Sequence, residues 1–508
     1  MKLLLLTFFV AGLIVIGVIS RKKSKTTSDF ILGGRNIGPW MSAFAYGTTY
    51  FSAVLFIGYA GETGWNFGLS GLWIAIGNSL LGCFLAWKVL GRRTKEMTTR
   101  LNVMTMPDFL SVRYDSPGLK FLSALVIFIF LVPYSASVYM GLSYLFEEIF
   151  HIPYNFVLLL MACLTAFYLI AGGYFAVALT DLFQGLLMIF GIVFMVFYVS
   201  RAPQVGGIGS VIERLEAINP KLTAVVGPPG WKPLFFLVML TSLGGWGLPQ
   251  MVQKFYTIRD EKSIKAATTI STLFALIISL SAYYVGALTR LFFDTLPVLN
   301  GQPNPDMLIP QIIGQTLPDF AAALVLILVL SASMSTLASL VLISSSTFVM
   351  DILGSGFKLP IVKNKPTFML RLFCLIFIAL SLVVAYKKPS IILNLMALSW
   401  GTVAGTFLAS YLYGLYWKGT TKAGAWAGAL SGLAISLGLS IYFKLSSNYT
   451  TMIGTIAMVA PLLIVPLVSL VTKSLPESHL NIIFPSKLEE KIHYTLGKTK
   501  EVLNNDLG

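Results

Sequence analysis

The sequence predicts an all-α, polytopic membrane protein with about 13 transmembrane helices. Of its 508 residues, 56% are hydrophobic and 11% are charged, whereas about 25% of the residues in soluble domains are charged. Apolar stretches of roughly 20 residues, the length of a helix that crosses the bilayer core, recur along most of the chain. No segment alternates between apolar and polar residues as a membrane β-barrel strand would.

The predicted helices follow the hydropathy in chain order. The first apolar stretch runs straight into Arg21-Lys22-Lys23 with no small-residue cleavage site before them, so we expect a retained helix rather than a signal peptide. The approximate spans are 2–20, 38–60, 68–90, 119–149, 154–173, 175–199, 232–256, 262–293, 317–350, 367–386, 391–416, 423–444 and 449–471.

Lysine and arginine are unevenly divided between the two sets of loops. About 27 of them fall on one side of the membrane and about 9 on the other, which is the positive-inside bias. The basic side comprises loops 21–37, 88–120, 254–265 and 358–371 and the tail. This distribution of lysine and arginine predicts a multi-pass plasma-membrane protein with its N-terminus outside and its C-terminus in the cytoplasm. The net charge of +15 therefore reflects topology, and no nucleic-acid partner is expected.

Two of the predicted helices look broken. The second contains Ala45-Tyr46-Gly47-Thr48-Thr49 and then Gly58, and the seventh contains Gly244-Gly245-Trp246-Gly247-Leu248-Pro249. Lipid tolerates an interrupted helix only where the freed backbone lines a cavity, and paired breaks in corresponding helices point to the binding site of a transporter. Because the breaks lie five helices apart, they predict two inverted five-helix repeats. The alternative is that each break is only a kink where helices pack tightly.

This organisation divides the chain into six parts. Each repeat contains one broken helix, and a long loop separates the repeats. The parts are a peripheral first helix with its cytoplasmic loop (1–37), the first repeat (38–200), an extracellular loop (201–231), the second repeat (232–418), two peripheral helices (419–472) and a cytoplasmic tail (473–508).

The cysteines and histidines give no support to an enzyme. All three cysteines lie inside apolar segments, where packing is the expected role, and they form no disulfide framework or metal-ligand pattern. The three histidines lie in loops or in the tail, so no catalytic constellation can be built from them. We therefore expect no catalytic residues.

The ninth helix carries an unusual number of hydroxyl groups between Ser331 and Asp351. Ala332, Ser335, Thr336 and Ser339 fall at helical spacing, so they share one face. A helix that faces only lipid does not need hydroxyl groups, whereas a helix beside an ion does. The alternative is helix–helix packing, since small residues and hydroxyls also hold membrane helices together.

Asp181, at the start of the sixth helix, is a candidate cation ligand. A carboxylate inside a membrane is costly and usually functional, although a position at the water interface is the alternative. Hard cations prefer oxygen ligands. These are available from Asp181, from the hydroxyl groups of the ninth helix and from free carbonyls of the broken second helix near Thr48 and Phe51. The predicted ion is Na⁺, and a proton on Asp181 is the alternative.

The solute is expected beside the breaks. A lining that is mostly aromatic and apolar, with few amides, suits a small solute with an apolar body better than a sugar. Packing remains the alternative for each aromatic residue taken singly. The candidate lining residues are Tyr50, Phe51, Ser52 and Leu55 on the second helix, Tyr134 on the fourth, and Trp246, Gln250 and Gln253 on the seventh.

Motifs spread over the chain to about residue 475 resemble those of the sodium/solute symporter family, and the bacterial sodium/proline branch is nearest. Each motif is short, but together, in order and on the expected helices, they are highly specific. They are Asp29-Phe30-Ile31-Leu32-Gly33-Gly34-Arg35, Trp73-Ile74-Ala75-Ile76-Gly77, Pro107-Asp108-Phe109, Gly172-Gly173, Thr180-Asp181-Leu182-Phe183-Gln184, Met334-Ser335-Thr336-Leu337-Ala338-Ser339, Trp417-Lys418-Gly419-Thr420-Thr421 and Gly424-Ala425.

The resemblance implies a LeuT-like core of two inverted five-helix repeats and two places for sodium. Asp181 and Ser339 match the second sodium region of some members, in which Ala338 stands where such members can carry a hydroxyl. The principal sodium site would comprise the carbonyls of Thr48, Phe51 and Ala332 and the hydroxyls of Ser335 and Thr336.

The solute region departs from individual branches of the family. Tyr50 stands where proline carriers have an acidic residue, and sugar carriers have polar residues at the positions of Val54 and Leu55. The turn Gly247-Leu248-Pro249 is similar to that of pantothenate and monocarboxylate carriers.

The function that the resemblance implies is sodium-driven uptake by alternating access. The solute would be an amino acid such as proline or a monocarboxylate such as pantothenate, and its partners would be the sodium ion and the lipid bilayer. The alternatives are a solute sensor that keeps the transporter fold and a sodium-coupled sugar carrier.

Overall fold

The computed structural model describes residues 2–20, 26–299, 301–444 and 446–485, and nearly all of them are helical. The α-helices are α1 (Lys2–Ser20), α2 (Thr27–Leu32), α3 (Pro39–Tyr50), α4 (Ala60–Phe67), α5 (Leu72–Gly77), α6 (Arg92–Arg100), α7 (Met106–Tyr114), α8 (Pro117–Phe150), α9 (Tyr154–Arg201), α10 (Val211–Ile218), α11 (Trp231–Gly247), α12 (Pro249–Thr257), α13 (Glu261–Ala287), α14 (Leu308–Thr316), α15 (Asp319–Thr347), α16 (Pro360–Asn364), α17 (Pro366–Lys387), α18 (Ile392–Tyr416), α19 (Lys422–Tyr442), α20 (Ser447–Val471) and α21 (Glu477–Ile483).

Short segments of other geometry complete the chain. Two-residue strands β1 (Val298–Leu299) and β2 (Gln302–Pro303) pair antiparallel in a long loop. The π-helical segments are Val54–Tyr59, Asn78–Leu85, Trp87–Gly91 and Phe348–Gly356, and the 3₁₀ turns are Gly33–Arg35, Gly68–Gly71, Ile208–Ser210, Pro220–Leu222, Leu288–Leu291 and Pro305–Met307.

Each of the predicted spans coincides with helix in the structure. However, fewer than 13 separate helices in the described part of the chain are both long enough and apolar enough to cross a membrane. Among the described residues, nine helical stretches are long and apolar enough to cross a membrane, and the bent pair of α11 and α12 makes ten. The difference arises partly because shorter apolar helices such as Leu6–Ser20 and Tyr154–Phe167 fall below that length. It also arises because the second half of the broken second helix runs on into the third helix, within the stretch Val54–Arg100.

Two glycines turn the chain at junctions between consecutive helical segments. Gly173 divides the 48 residues of α9 into the two helices that hydropathy predicts, and its φ of +57° is in the left-handed region. Gly68 has a φ of +59°, and a Cβ there would lie 2.4 Å from the carbonyl oxygen of Leu222. Only glycine adopts this backbone readily, and here it also makes room for the neighbouring chain.

Both predicted helix breaks are present. The first, which we call the α3 break, follows Tyr50: Phe51 has an extended backbone (φ −110°, ψ 102°), and helix resumes after Ser52. In the second, Leu248 is extended and Pro249 starts α12, whose axis is bent by 46° from that of α11. Proline lacks the N–H that would continue the helix through this point.

The helix α15 lies at the centre of the bundle. It is buried along nearly its whole length and packs against α3, α8, α9 and α17. At the periphery, α1 packs on α9, while α19 and α20 pack on each other and on α18. This arrangement places the hydroxyl-bearing helix directly against the α3 break.

Close helix packing at Gly286 generates a first prediction. A Cβ at Gly286 in α13 would lie 2.0 Å from the carbonyl oxygen of Ala60 in α4, and overpacking of this kind costs roughly 1–3 kcal/mol. Gly286→Ala should therefore lower the melting temperature of the purified protein by several degrees. Gly71→Ala is the matched control, because a Cβ at Gly71 meets no atom within 4 Å. Equal melting temperatures for the two variants would contradict this account of the packing.

Candidate cation and solute site

The hydroxyl face of α15 contacts the end of α3. The Ser335 hydroxyl donates a 2.7 Å hydrogen bond to Thr48 Oγ1. The Thr336 hydroxyl lies 3.3 Å from the carbonyl oxygen of Thr48 and 3.2 Å from that of Thr49, to which it can donate. Since α3 ends at Tyr50, the carbonyls of its last turn lack the partners that a continuing helix would supply. The Thr336 hydroxyl meets two of these carbonyls in the buried interior of the bundle.

Three of the five predicted ligands of the principal sodium site, Thr48, Ser335 and Thr336, meet at this contact. Phe51 lies in the α3 break itself, and Ala332 is fully buried one turn before Ser335 on α15. We call Thr48, Phe51, Ala332, Ser335 and Thr336 the first cation region.

The predicted second sodium ligands also lie close together, but they surround a lysine. Lys254 Nζ donates to the hydroxyl of Ser339 at 3.0 Å and lies 3.9 Å from Asp181 Oδ2. The Ser339 hydroxyl is also 3.0 Å from that of Thr49 at the end of α3. The side chains of Lys254 and Asp181 are both 0% exposed. We call Asp181, Lys254 and Ser339 the second cation region.

The position of Lys254 corrects one loop assignment made from the sequence. That prediction counted Lys254 in a basic cytoplasmic loop that began at residue 254, whereas the residue is buried inside α12, which continues to Thr257. One signal was available, because Lys254 is followed by the aromatic pair Phe255 and Tyr256 before the next polar residues. Asp181 is likewise fully buried.

A narrow cavity adjoins the α3 break. None of the described residues that line it is charged. They are Tyr50, Phe51, Ser52, Val54, Leu55, Tyr59, Asn78, Tyr134, Thr241, Tyr283, Met396 and Trp400.

Five of the eight candidate solute residues line this cavity, namely Tyr50, Phe51, Ser52, Leu55 and Tyr134. The other three lie on α11 and α12 and point elsewhere. Trp246 Nε1 donates to the carbonyl of Leu81 at 2.9 Å, and Gln253 Nε2 donates to that of Ile31 at 3.0 Å. Gln250 is buried and is not among the residues that line the cavity. Gln250 and Gln253 lie beyond the bend after Gly247, on α12, whose axis is bent by 46° from that of α11.

Sequence reasoning missed the aromatic wall formed by Trp400. The Trp400 ring stacks on that of Tyr50, with centroids 6.0 Å apart and planes at 10°, and meets Tyr134 edge to face at 5.8 Å. Trp400 lies in an uninterrupted helix, α18, so no local break marks it. Asn78 was also missed, although an amide within an apolar segment is such a signal. The Tyr50 hydroxyl donates to the carbonyl of Thr241 at 2.6 Å and so ties α3 to α11.

Two further buried carboxylates connect elements away from this cavity. Asp306 Oδ2 accepts a 3.1 Å hydrogen bond from the backbone N–H of Ile392 at the start of α18, and burial raises the pKa of the Asp306 carboxyl to about 7. Asp351 accepts from Thr105 at 2.7 Å and lies 3.3 Å from Lys120 Nζ. Both carboxylates bind groups of neighbouring elements and so hold those elements together. The first cation region and the cavity therefore remain the candidate transport site.

This architecture resembles those of solved secondary transporters. The structure superposes on a Na⁺-coupled sialic acid symporter, solved in a substrate-bound outward-open state, with a TM-score of 0.76 and 18% identity, covering 94% of this chain and 99% of the other. It also superposes on Mhp1, a nucleobase-cation-symport-1 family transporter, in a closed conformation, with a TM-score of 0.52 and 17% identity over 90% of this chain and 99% of the other. The fold is therefore the LeuT-like fold of a multi-pass transporter.

The sequence places the chain within one family of such transporters. Residues 30–432 match the sodium:solute symporter family, and the chain belongs to it. The sodium/proline symporter of Haemophilus influenzae is 31% identical over 85% of this chain and 86% of that protein. That of Staphylococcus aureus is 28% identical over 91% and 90%.

Membership confirms the broad function predicted from the sequence. The chain is a sodium-coupled symporter of a small solute in a lipid bilayer. Because the members of this family are transporters, it is not an enzyme.

The Ser335–Thr48 hydrogen bond generates a second prediction, which concerns stability without sodium. Thr48→Val removes the acceptor and leaves a buried hydroxyl unsatisfied, at a cost of about 1–3 kcal/mol. In sodium-free buffer the valine variant should therefore melt below Thr48→Ser, which keeps the hydroxyl and loses only a methyl group. Identical melting temperatures would show that this hydrogen bond contributes nothing to the packing of α15 on α3.

Proposed function

We propose that this symporter imports a small amino acid such as proline, or a monocarboxylate such as pantothenate, together with Na⁺ bound in the first cation region. The ligands would be the carbonyls of Thr48, Phe51 and Ala332 and the hydroxyls of Ser335 and Thr336. The observation that carries the proposal is the contact of two α15 hydroxyls with the end of α3.

The chemistry of the first cation region favours sodium. Every proposed ligand is an uncharged oxygen, and hard cations prefer such ligands, whereas transition metals favour nitrogen and sulfur. The hydroxyl of Ser335 bonds to that of Thr48. A bound ion would take the oxygen lone pairs and release the hydroxyl hydrogens to turn outward.

The α3 break explains how ion and solute are coupled. Thr48 lies just before the break, while Phe51 and Ser52 lie within it and also line the cavity. An ion held between α15 and Thr48 would therefore fix the backbone that forms one wall of the solute site. Each charge moved inward gains about 2.3 kcal/mol per 100 mV of membrane potential, which drives the alternating-access cycle.

The cavity supports a small solute that carries hydrogen-bond acceptors. Trp400 Nε1 and the hydroxyl of Tyr59, on two of its lining residues, have no hydrogen-bond partner among the described residues. A carboxylate could accept from both groups, and the start of the helix after the α3 break favours negative charge. The stacked rings of Tyr50 and Trp400 suit an apolar body such as a pyrrolidine ring. The sodium/proline relatives favour the amino acid over other carboxylates.

The topology forms part of the same proposal. The basic loops favour an N-terminus outside and a C-terminus in the cytoplasm of a plasma-membrane protein, even without Lys254 in the count. The proposed repeats are residues 38–200 and 232–418, with the remaining helices peripheral to them.

The sodium ligands can be tested by removing their hydroxyls. Ser335→Ala or Thr336→Ala should raise the sodium concentration that half-saturates uptake by on the order of tenfold, equivalent to about 1.4 kcal/mol. The assay is uptake of labelled solute by proteoliposomes at graded sodium. Ser333→Ala is the control, because that buried hydroxyl bonds only the carbonyl of Val329 in its own helix. Uptake that keeps its sodium dependence in both variants would exclude the first cation region.

The solute can be identified by the same assay. Labelled amino acids and monocarboxylates are screened with and without an inward sodium gradient, and proline is the expected substrate. Trp400→Phe keeps the aromatic ring but loses a donor worth roughly 0.5–1.5 kcal/mol, so KM should rise roughly two- to tenfold with sodium dependence retained. The control is Trp40→Phe, since Trp40 is 58% exposed and outside the cavity. An unchanged KM for Trp400→Phe would show that the Trp400 indole does not donate a hydrogen bond to the solute.

A further inference from the structure

The second cation region already contains a cation. Lys254 reaches it from α12, Asp181 from α9 and Ser339 from α15, so the ammonium group joins three helices at one point. All three side chains are buried. The Lys254 ammonium also lies 5.2 Å from the ring centroid of Tyr174, whose face attracts positive charge.

The direction of the hydrogen bonds shows that the ammonium uses the oxygens that a metal ion would need. An ammonium group can only donate, so the Ser339 oxygen accepts from Lys254 at 3.0 Å. The hydroxyl hydrogen of Ser339 is then free to point at Thr49 Oγ1, also 3.0 Å away. This chain of bonds runs from Lys254 through Ser339 to the end of α3, which is the helix that supplies the first cation region.

Asp181 depends on the same ammonium. Neither of its carboxylate oxygens has a hydrogen-bond partner among the described residues. The Lys254 ammonium, 3.9 Å from Oδ2, is the cation that the described part of the chain places beside it. A buried ionised carboxylate requires a compensating positive charge. Here the ammonium of Lys254, which is part of the protein itself, supplies that charge.

We propose that Lys254 is the resident cation of the second cation region, so that this symporter binds one Na⁺ per solute, in the first cation region only. The inference rests on the proposed sodium site at Thr48, Ser335 and Thr336. A tethered ammonium holds α12 to α9 and α15 as a sodium ion would, but it cannot dissociate into the cell. The second region therefore contributes packing to the transport cycle and no charge movement.

The experiment counts sodium ions on the purified protein and needs no knowledge of the solute. Equilibrium binding of radiolabelled Na⁺ should saturate at one ion per wild-type chain. Lys254→Met leaves Asp181, Ser339 and Thr49 without a cation, so this variant should bind two ions. Lys254→Arg keeps the charge and should bind one. Lys254→Met combined with Asp181→Asn removes both charges and should return the count to one.

Each outcome bears on a different claim. Two ions on the wild-type chain would overturn the resident-cation inference alone, and so would a single ion on Lys254→Met that still elutes as a monodisperse species. A wild-type chain that binds no sodium would overturn the first cation region and this inference with it. If Lys254→Met does not fold, Lys254→Gln replaces it with a neutral hydrogen-bond donor, and the wild-type count remains a test that needs no variant.

Discussion

The contact between the α3 break and the hydroxyl face of α15 is the constraint on which the rest of the structure depends. An interrupted helix inside a bilayer frees backbone carbonyls that water cannot reach, and each unsatisfied group costs several kcal/mol. Ser335 and Thr336 meet the end of α3 there, so the break is stable only while α15 stays against it. This requirement explains why α15 is buried along nearly its whole length and why α3, α8, α9 and α17 surround it. The same oxygens that satisfy the break are suited to a sodium ion.

In the proposed arrangement, one face of α15 would serve two positive charges in consecutive turns. Ser335 and Thr336 contact Thr48, whereas Ser339, one turn further along, contacts Thr49 and Lys254. The two regions therefore share both α15 and the last turn of α3. They differ in whether their cation can dissociate. A sodium ion bound by Ser335 would be exchangeable, while the ammonium of Lys254 stays attached to α12. A single helix face can thus combine a sodium ion that dissociates with an ammonium group that does not. A change at either cation would alter contacts of the same turn of α3.

The sequence was most informative where backbone chemistry leaves a local signature. Glycine and proline marked the breaks near Phe51 and Leu248, and hydroxyls at helical spacing marked the face that meets α3. Features that arise only from packing gave no such mark. Trp400 lines the cavity from an unbroken helix, and no residue pattern specifies the 46° angle between α11 and α12. Lys254 was misplaced because a charge near a helix end is assigned to a loop unless its partner is known. That partner, Asp181, lies 73 residues earlier in the chain.

The seventh helix shows why its break matters to transport. Before the bend, the carbonyl of Thr241 in α11 accepts from Tyr50, which belongs to α3 and the cavity wall. After the bend, Lys254 in α12 is held by Ser339 of α15 and Asp181 of α9. The two halves are thus fastened to different parts of the bundle on either side of Leu248. A straight helix would transmit any movement of one end to the other, whereas a hinge between separate attachments lets one end open while the other stays closed. Alternating access requires that independence, and the extended backbone at Leu248 is the point at which the two halves are separated.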